Sequence, residues 1–178
     1  AMRRALRWAQ RSTGKQQILM LDGGAALRVG ARTDGSDDEL PVREVQGWDL
    51  DRIRAALVAG ARQVAVLVVD PLMSRCGLVP PPAGGIAALT QMCHDVGILL
   101  LLDERVSGFR VARGGAAASA GVAPDLAVYG GALGGGFPIG AVAFRSGLAG
   151  ADELGDEALP VPHPVSLVAA DAVLSILK

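Results

Sequence analysis

Two unbroken apolar runs, Val64-Ala65-Val66-Leu67-Val68-Val69 and Ile98-Leu99-Leu100-Leu101-Leu102, each end on an aspartate, Asp70 and Asp103. Short runs of this kind, without polar alternation, predict strands covered on both faces, as in a parallel sheet. Parallel neighbours need a crossover, and the intervening segment supplies one. Pro71 stops the first strand, Pro80-Pro81-Pro82 introduces a helix over about 84–95, and Val96-Gly97 ends it. Strand, helix and strand make a βαβ unit, whose crossover is right-handed in nearly all proteins.

The flanking sequence repeats the alternation. Ala5, Leu6 and Ala9 share one face of a helix over 3–12, with Arg3, Arg4, Arg7 and Arg11 toward the other, and Ser12-Thr13-Gly14 ends it. A strand over 17–21 follows, closed by Asp22-Gly23-Gly24. Residues 28–47 are polar and read as a surface loop, densest in Asp, Gly and Ser from Thr33 to Glu39. Asp49 is placed to cap a helix over 50–60. Further strands are expected over 124–129 and 139–144, a short helix over 146–152, a loop over 153–160, and a helix from Val165 to Leu177 introduced by Pro164. Strands alternating with helices predict an α/β domain with a mostly parallel sheet, and 178 residues allow one such domain.

Seventeen basic residues against eighteen acidic ones give a net charge of −1, without the basic excess of a phosphate-backbone binder, so nucleic acid is not an expected partner. Cys76 and Cys93 are too few for a disulfide framework or a zinc site, which makes a reducing cytoplasm the expected setting and no metal the expectation. The apolar runs fall far short of the roughly 20 residues a membrane span needs, and the first residues form no signal core. Ala1 before Met2 reads as a cloning remnant. Arginine outnumbers lysine heavily, and Lys15 and Lys178 are the only lysines in the chain.

Asp103 lies where ligands collect in open α/β sheets, at the carboxyl end of a strand. It either touches a cofactor there, or caps a loop or pairs with Arg105 or Arg110. Gly134-Gly135-Gly136-Phe137-Pro138-Ile139-Gly140 either cradles a phosphate or makes a tight turn.

The run GILLLLDERVSGFRVARGGAAASAGVAPDLAVYGGALGGGFPIGAV, residues 97–142, resembles the central stretch of class III aminotransferases, above all glutamate-1-semialdehyde aminomutases. That family reads as an apolar strand, Asp-Glu-Val, a Ser/Thr-Gly-Phe-Arg turn, a Gly-rich helix, Pro-Asp-Leu, and Gly-Lys-x-x-Gly-Gly-Gly-x-Pro-x-Gly-Ala. The resemblance extends to AMRRALRWAQRSTGKQQILMLDGG, to VAVLVVDPLMSRCGLVPP and to PHPVSLVAADAVLSIL. It implies the large domain of fold-type-I pyridoxal-phosphate (PLP) enzymes, an α/β fold with a three-layer, mostly parallel sheet, and residues 1–178 as a single truncated domain of that kind.

The resemblance also implies residue roles. Asp103 matches the aspartate that holds the pyridine nitrogen protonated, an electron-sink requirement of such enzymes. Ser107, Gly134 and Gly135 fall on the cofactor-binding turns. The Schiff-base lysine falls on Gly131, and no interior lysine stands near it. Ala25 and Ala26 replace the aromatic and histidine of the stacking platform, Leu159 stands near the phosphate-binding threonine, and Arg105 replaces the valine of Asp-Glu-Val. The phosphate loop and the C-terminal small domain have no counterpart in the chain. These departures predict a catalytically inactive aminotransferase-fold protein kept for binding or assembly in a biosynthetic setting. The alternatives are a lysine-independent enzyme in a remodelled pocket, using Asp103 with Arg105 or Arg110, and a noncovalent binder of PLP or its amine form. No cofactor is expected beyond noncovalent PLP. Cys76 and His163 are expected on loops near the old site, while Cys93 and His94 lie on a helix as packed and solvent-facing residues. Apolar surface left uncovered predicts a homodimer or a protein partner from the same pathway.

Overall fold

The computed structural model describes residues 1–21, 40–148 and 163–177. In chain order its elements are α1 (Met2–Thr13), β1 (Gln17–Leu21), β2 (Val42–Val45), α2 (Leu50–Gly60), β3 (Val64–Val69), α3 (Gly85–Val96), β4 (Leu99–Asp103), α4 (Gly115–Ser119), β5 (Leu126–Tyr129), a 3-10 turn at Gly131–Gly134, β6 (Ala141–Phe144) and α5 (Pro164–Ile176). The strands form one sheet in the order β2-β1-β3-β4-β5-β6. All neighbours are parallel except β6, which runs antiparallel to β5.

The two apolar runs are the centre of this sheet. Val66 to Val69 of β3 stand opposite Leu99 to Leu102 of β4, and every β3 residue is buried. Although neither run alternates in sequence, its side chains alternate in space, as strand geometry requires. Leu67, Val69, Leu100 and Leu102 pack with Ile53 and Leu57 of α2 and Leu89 of α3 on one face. Val66, Val68 and Leu101 pack with Leu6 and Trp8 of α1 on the other. Three layers result, as the sequence predicts.

The helix ends follow local chemistry. Asp49 accepts a hydrogen bond from the Arg52 amide at 3.0 Å, capping α2. Gly14 and Gly97 take left-handed φ values of 67° and 65° to close α1 and α3. Lys15 donates its Nζ to the Gly97 carbonyl at 2.7 Å, which fixes this lysine at the amino edge of the sheet.

Two expectations need correction. Residues 42–45, read as part of a loop, form the parallel edge strand β2. Its Val-Arg-Glu-Val segment is short and exposes Arg43 and Glu44, so it lacks the apolar run of an inner strand. The short helix expected from 146 is not formed over 146–148, which turn after β6, and its remainder lies outside the described residues. So do Asp22-Gly23-Gly24, Ala25, Ala26, the Thr33–Glu39 stretch, the 153–160 loop with Leu159, and Lys178.

Candidate functional site

Because β1, β3, β4 and β5 run parallel, their carboxyl ends share one edge, where open α/β sheets bind ligands. Asp70 follows β3, Asp103 ends β4, and Gly130-Gly131 follow β5. Asp103 is buried, and both its oxygens are held by one side chain. Arg105 places Nε 2.7 Å from Oδ1 and Nη2 2.7 Å from Oδ2, and its backbone amide reaches Oδ1 at 3.3 Å. This is a bidentate, charge-assisted pair. The Arg105 guanidinium is held above its ordinary pKa by the hydrogen bond to Asp103, against the opposing effect of burial, with the Asp103 and Asp70 charges adding to the rise. Of the alternatives open in the sequence, the structure realises the pairing with Arg105.

Asp70 solves the same problem differently. Its carboxylate accepts from the Leu72 amide at 3.1 Å, the Ser74 amide at 2.9 Å and the Ser74 hydroxyl at 2.5 Å, so the turn after β3 satisfies it. The sequence reading assigned Asp70 no role at the site, although an apolar run ending on an acid marks it as clearly as Asp103.

Between these strand ends and α4 sits Glu104, fully buried. Its carboxylate accepts from the Ala116 and Ala117 amides at 3.0 and 2.9 Å and from the Ser107 hydroxyl. An anion at these amides satisfies donors that the helix itself leaves unpaired. Ser107, expected on a cofactor turn, is thus placed as a buried partner of Glu104. Gly115 has a φ of +75°, and a Cβ there would collide with the Glu104 carboxylate. Gly108 is equally confined, since a Cβ would lie 2.5 Å from the Glu104 carbonyl and 2.7 Å from the Tyr129 ring. Next to it Phe109 takes a left-handed φ of 62° and packs on Tyr129 with ring centroids 5.4 Å apart.

Gly131 lies against this turn. A Cβ there would stand 2.8 Å from the Arg105 carbonyl oxygen and 3.6 Å from Arg110 Nη1, at a backbone φ of +51°. Arg110 itself donates to the Val106 carbonyl at 2.9 Å and the Arg105 carbonyl at 3.3 Å. Arg105, Arg110 and Gly131 are therefore gathered around one turn. Gly134 is buried, with a Cβ there 2.9 Å from Ile139 Cγ2, whereas Gly135 is exposed at a left-handed φ of 55°, with a Cβ there 3.2 Å from Val173 Cγ2 of α5.

Cys76 is exposed in the turn after β3. His163 is exposed at the start of α5, where Nδ1 accepts from the Val165 amide at 3.3 Å. His94 is exposed on α3, and burial pushes the Cys93 thiol up to about 12, as a packed and solvent-facing pair should behave. A cavity of about 430 Å³ between α4 and the β5–β6 hairpin is lined by Ala117, Pro124, Ala127, Tyr129, Phe144 and Arg145, and does not include Asp103 or Gly131. No group of three or more metal-ligating side chains occurs among the described residues.

Residues 39–178 match the family model for aminotransferase class-III. Glutamate-1-semialdehyde 2,1-aminomutase from Methanocaldococcus jannaschii is 35% identical over 158 residues, covering 79% of this chain and 37% of the relative. The enzyme of the same name from Citrifermentans bemidjiense is 36% identical over 154 residues, covering 77% of the chain and 36% of the relative. The chain thus spans little more than a third of these relatives' length. Among solved structures, an omega-transaminase from Sphaerobacter thermophilus superposes with a TM-score of 0.78 at 25% identity, over 100% of this chain and 47% of that one. A transaminase with PLP bound superposes at 0.79 with 28% identity, over 99% of this chain and 47% of that one. This last match corrects the expectation that no cofactor belongs with the chain. The fold that carries Asp103 and Gly131 is the fold of a PLP-bearing protein.

Removing the Glu104 carboxylate strands the Ala116 and Ala117 amides in a dry environment. Glu104→Ala should lower the unfolding free energy by about 3 kcal/mol, the scale of two buried donors losing a charged acceptor. Urea denaturation followed by circular dichroism checks this, and an unchanged midpoint would show that the amides find other partners.

Proposed function

The chain belongs to the class III aminotransferases, and on that footing we propose that it is a non-transaminating member kept for binding or assembly, in which PLP is held without a covalent link. The observation that carries this reading is Gly131. Its position between strand β5 and the glycine turn is where the resemblance puts the Schiff-base lysine, and glycine offers no amine. A side chain at this point would press its Cβ on the Arg105 carbonyl, 2.8 Å away, so the local backbone is fitted to glycine. Lys15 is tied to the Gly97 carbonyl at the opposite edge of the sheet and cannot substitute.

The described residues therefore do not fit covalently held PLP. Asp103 is present but engaged by Arg105 through both oxygens. That engagement also argues against Asp103 as a general acid or base, which would need a free oxygen facing a substrate. With the sheet of the family fold in place, no amine at Gly131 and an occupied carboxylate, binding without transamination is the function that best uses what remains. Two free cysteines accord with a reducing, cytoplasmic setting.

For assembly, the partner we propose is a second copy of the chain. Helix α5 buries Ser166 and Ala170 but leaves Leu167, Val168 and Ile176 exposed, with Val168 71% and Ile176 81% accessible. Exposed apolar side chains on one helix mark an interaction surface, and symmetric pairing is the commonest way to cover one. No described helix is long and apolar enough to cross a membrane.

Incubation with equimolar PLP followed by borohydride reduction should leave the intact mass of the full chain unchanged. A stoichiometric adduct would overturn the non-transaminating reading. Sedimentation equilibrium at micromolar concentration should give twice the chain mass, and a stable monomer would remove the second copy from the proposal.

A further inference from the structure

We infer that Arg105 is a competitor, built into the site, for any ligand ring nitrogen directed at Asp103, so that this one side chain sets how tightly a PLP-type pyridine ring is held. The inference rests on the noncovalent reading above and extends it to the residue that governs affinity.

The argument begins with what satisfies Asp103. Its described hydrogen bonds all come from Arg105, through the backbone amide, Nε and Nη2. Asp70, at the neighbouring strand end, is instead satisfied by two backbone amides and Ser74. Of these two buried carboxylates, Asp103 alone depends on a side chain that could swing away. A protonated pyridine offers one N–H to such an acceptor, whereas the guanidinium offers two in a fork that matches the carboxylate. The guanidinium is also tethered two residues away, so it meets Asp103 at a high effective concentration.

The position of the Arg105 stem sharpens this. A Cβ at Gly130 would lie 3.4 Å from Arg105 Cγ and 3.8 Å from Cδ, so the stem crosses beside Gly130 on its way to Asp103. The side chain thus lies between the end of β4 and the Gly130-Gly131 segment, and it keeps 38% of its side-chain surface open to solvent while the Asp103 side chain keeps 6%. A ring N–H reaching Asp103 competes with Arg105 for the same two oxygens. Arg105 stands where the resembling family has valine, which has no donor to compete with.

The test uses pyridoxine 5′-phosphate, which has no aldehyde, and its benzene-ring isostere, which has no ring nitrogen. Both are titrated calorimetrically into the full chain, its Arg105→Val variant and its Arg105→Gln variant. Wild-type protein should scarcely distinguish the two probes. Arg105→Val should bind the pyridine probe at least about tenfold more tightly than the isostere, the ratio that one charge-assisted hydrogen bond supplies. Adding Asp103→Asn to Arg105→Val should abolish that preference. Arg105→Gln keeps a neutral donor near Asp103 and should show an intermediate preference, so it carries the test if Arg105→Val fails to fold. Pyridine binding gained only in the variants supports the inference. No ring-nitrogen preference in either variant, or no binding by any of the proteins, overturns it. The outcome is independent of covalent trapping, because neither probe can form an imine.

Discussion

Strands buried on both faces can carry charged groups only where they end. In β3 and β4 that constraint puts two carboxylates side by side, because the register that sets Val69 opposite Leu102 also makes Asp70 the neighbour of Asp103. Each must find donors, since an unpaired buried carboxylate costs several kcal/mol. Asp70 is paired by its own turn. Asp103 is paired by Arg105, and the arrangement of the whole edge turns on that choice, because the same arginine passes Gly130 and lends its carbonyl to the surroundings of Gly131.

The turn after β4 keeps this edge in place independently of any ligand. Glu104 joins it to the first amides of α4, and Gly108 and Gly115 permit the close approach. The geometry that would support a cofactor therefore persists as a self-satisfied structure. Burial, register and the Glu104 contacts hold this frame without any contribution from a side chain at Gly131. The proposed departure from covalent chemistry is compatible with the family fold for that reason.

The central sheet was legible because β3, β4 and α3 carry strong local signals: unbroken apolar runs, a proline triplet and a glycine stop. The edge strand β2 was not, because Arg43 and Glu44 face solvent and its pairing with β1 is set by tertiary context. At the site, strand ends predicted the place of Asp103 but left its partner open between Arg105, Arg110 and a cofactor, a choice that only side-chain geometry settles. Ser107 was read as a cofactor contact through resemblance, but its hydroxyl is directed at Glu104, whose amide partners lie twelve and thirteen residues on and leave no mark in local sequence. Gly134 and Gly135 were ambiguous between phosphate cradle and tight turn, and the chain does turn tightly there, with Gly134 beside Ile139 and Gly135 at a left-handed φ of 55°. Gly131 was given the lysine position through the resemblance alone, with no lysine between Lys15 and Lys178 to take its place.

The central claim is that Arg105 holds Asp103, and the Nε–H of Arg105 reports on it directly. In a nitrogen-15 correlation spectrum recorded at neutral pH, a resonance assigned by its loss in Arg105→Gln should be shifted downfield and exchange slowly with water, and it should merge with the exposed arginines in Asp103→Asn. A resonance that exchanges as fast as those of the exposed arginines and is indifferent to Asp103→Asn would contradict the account.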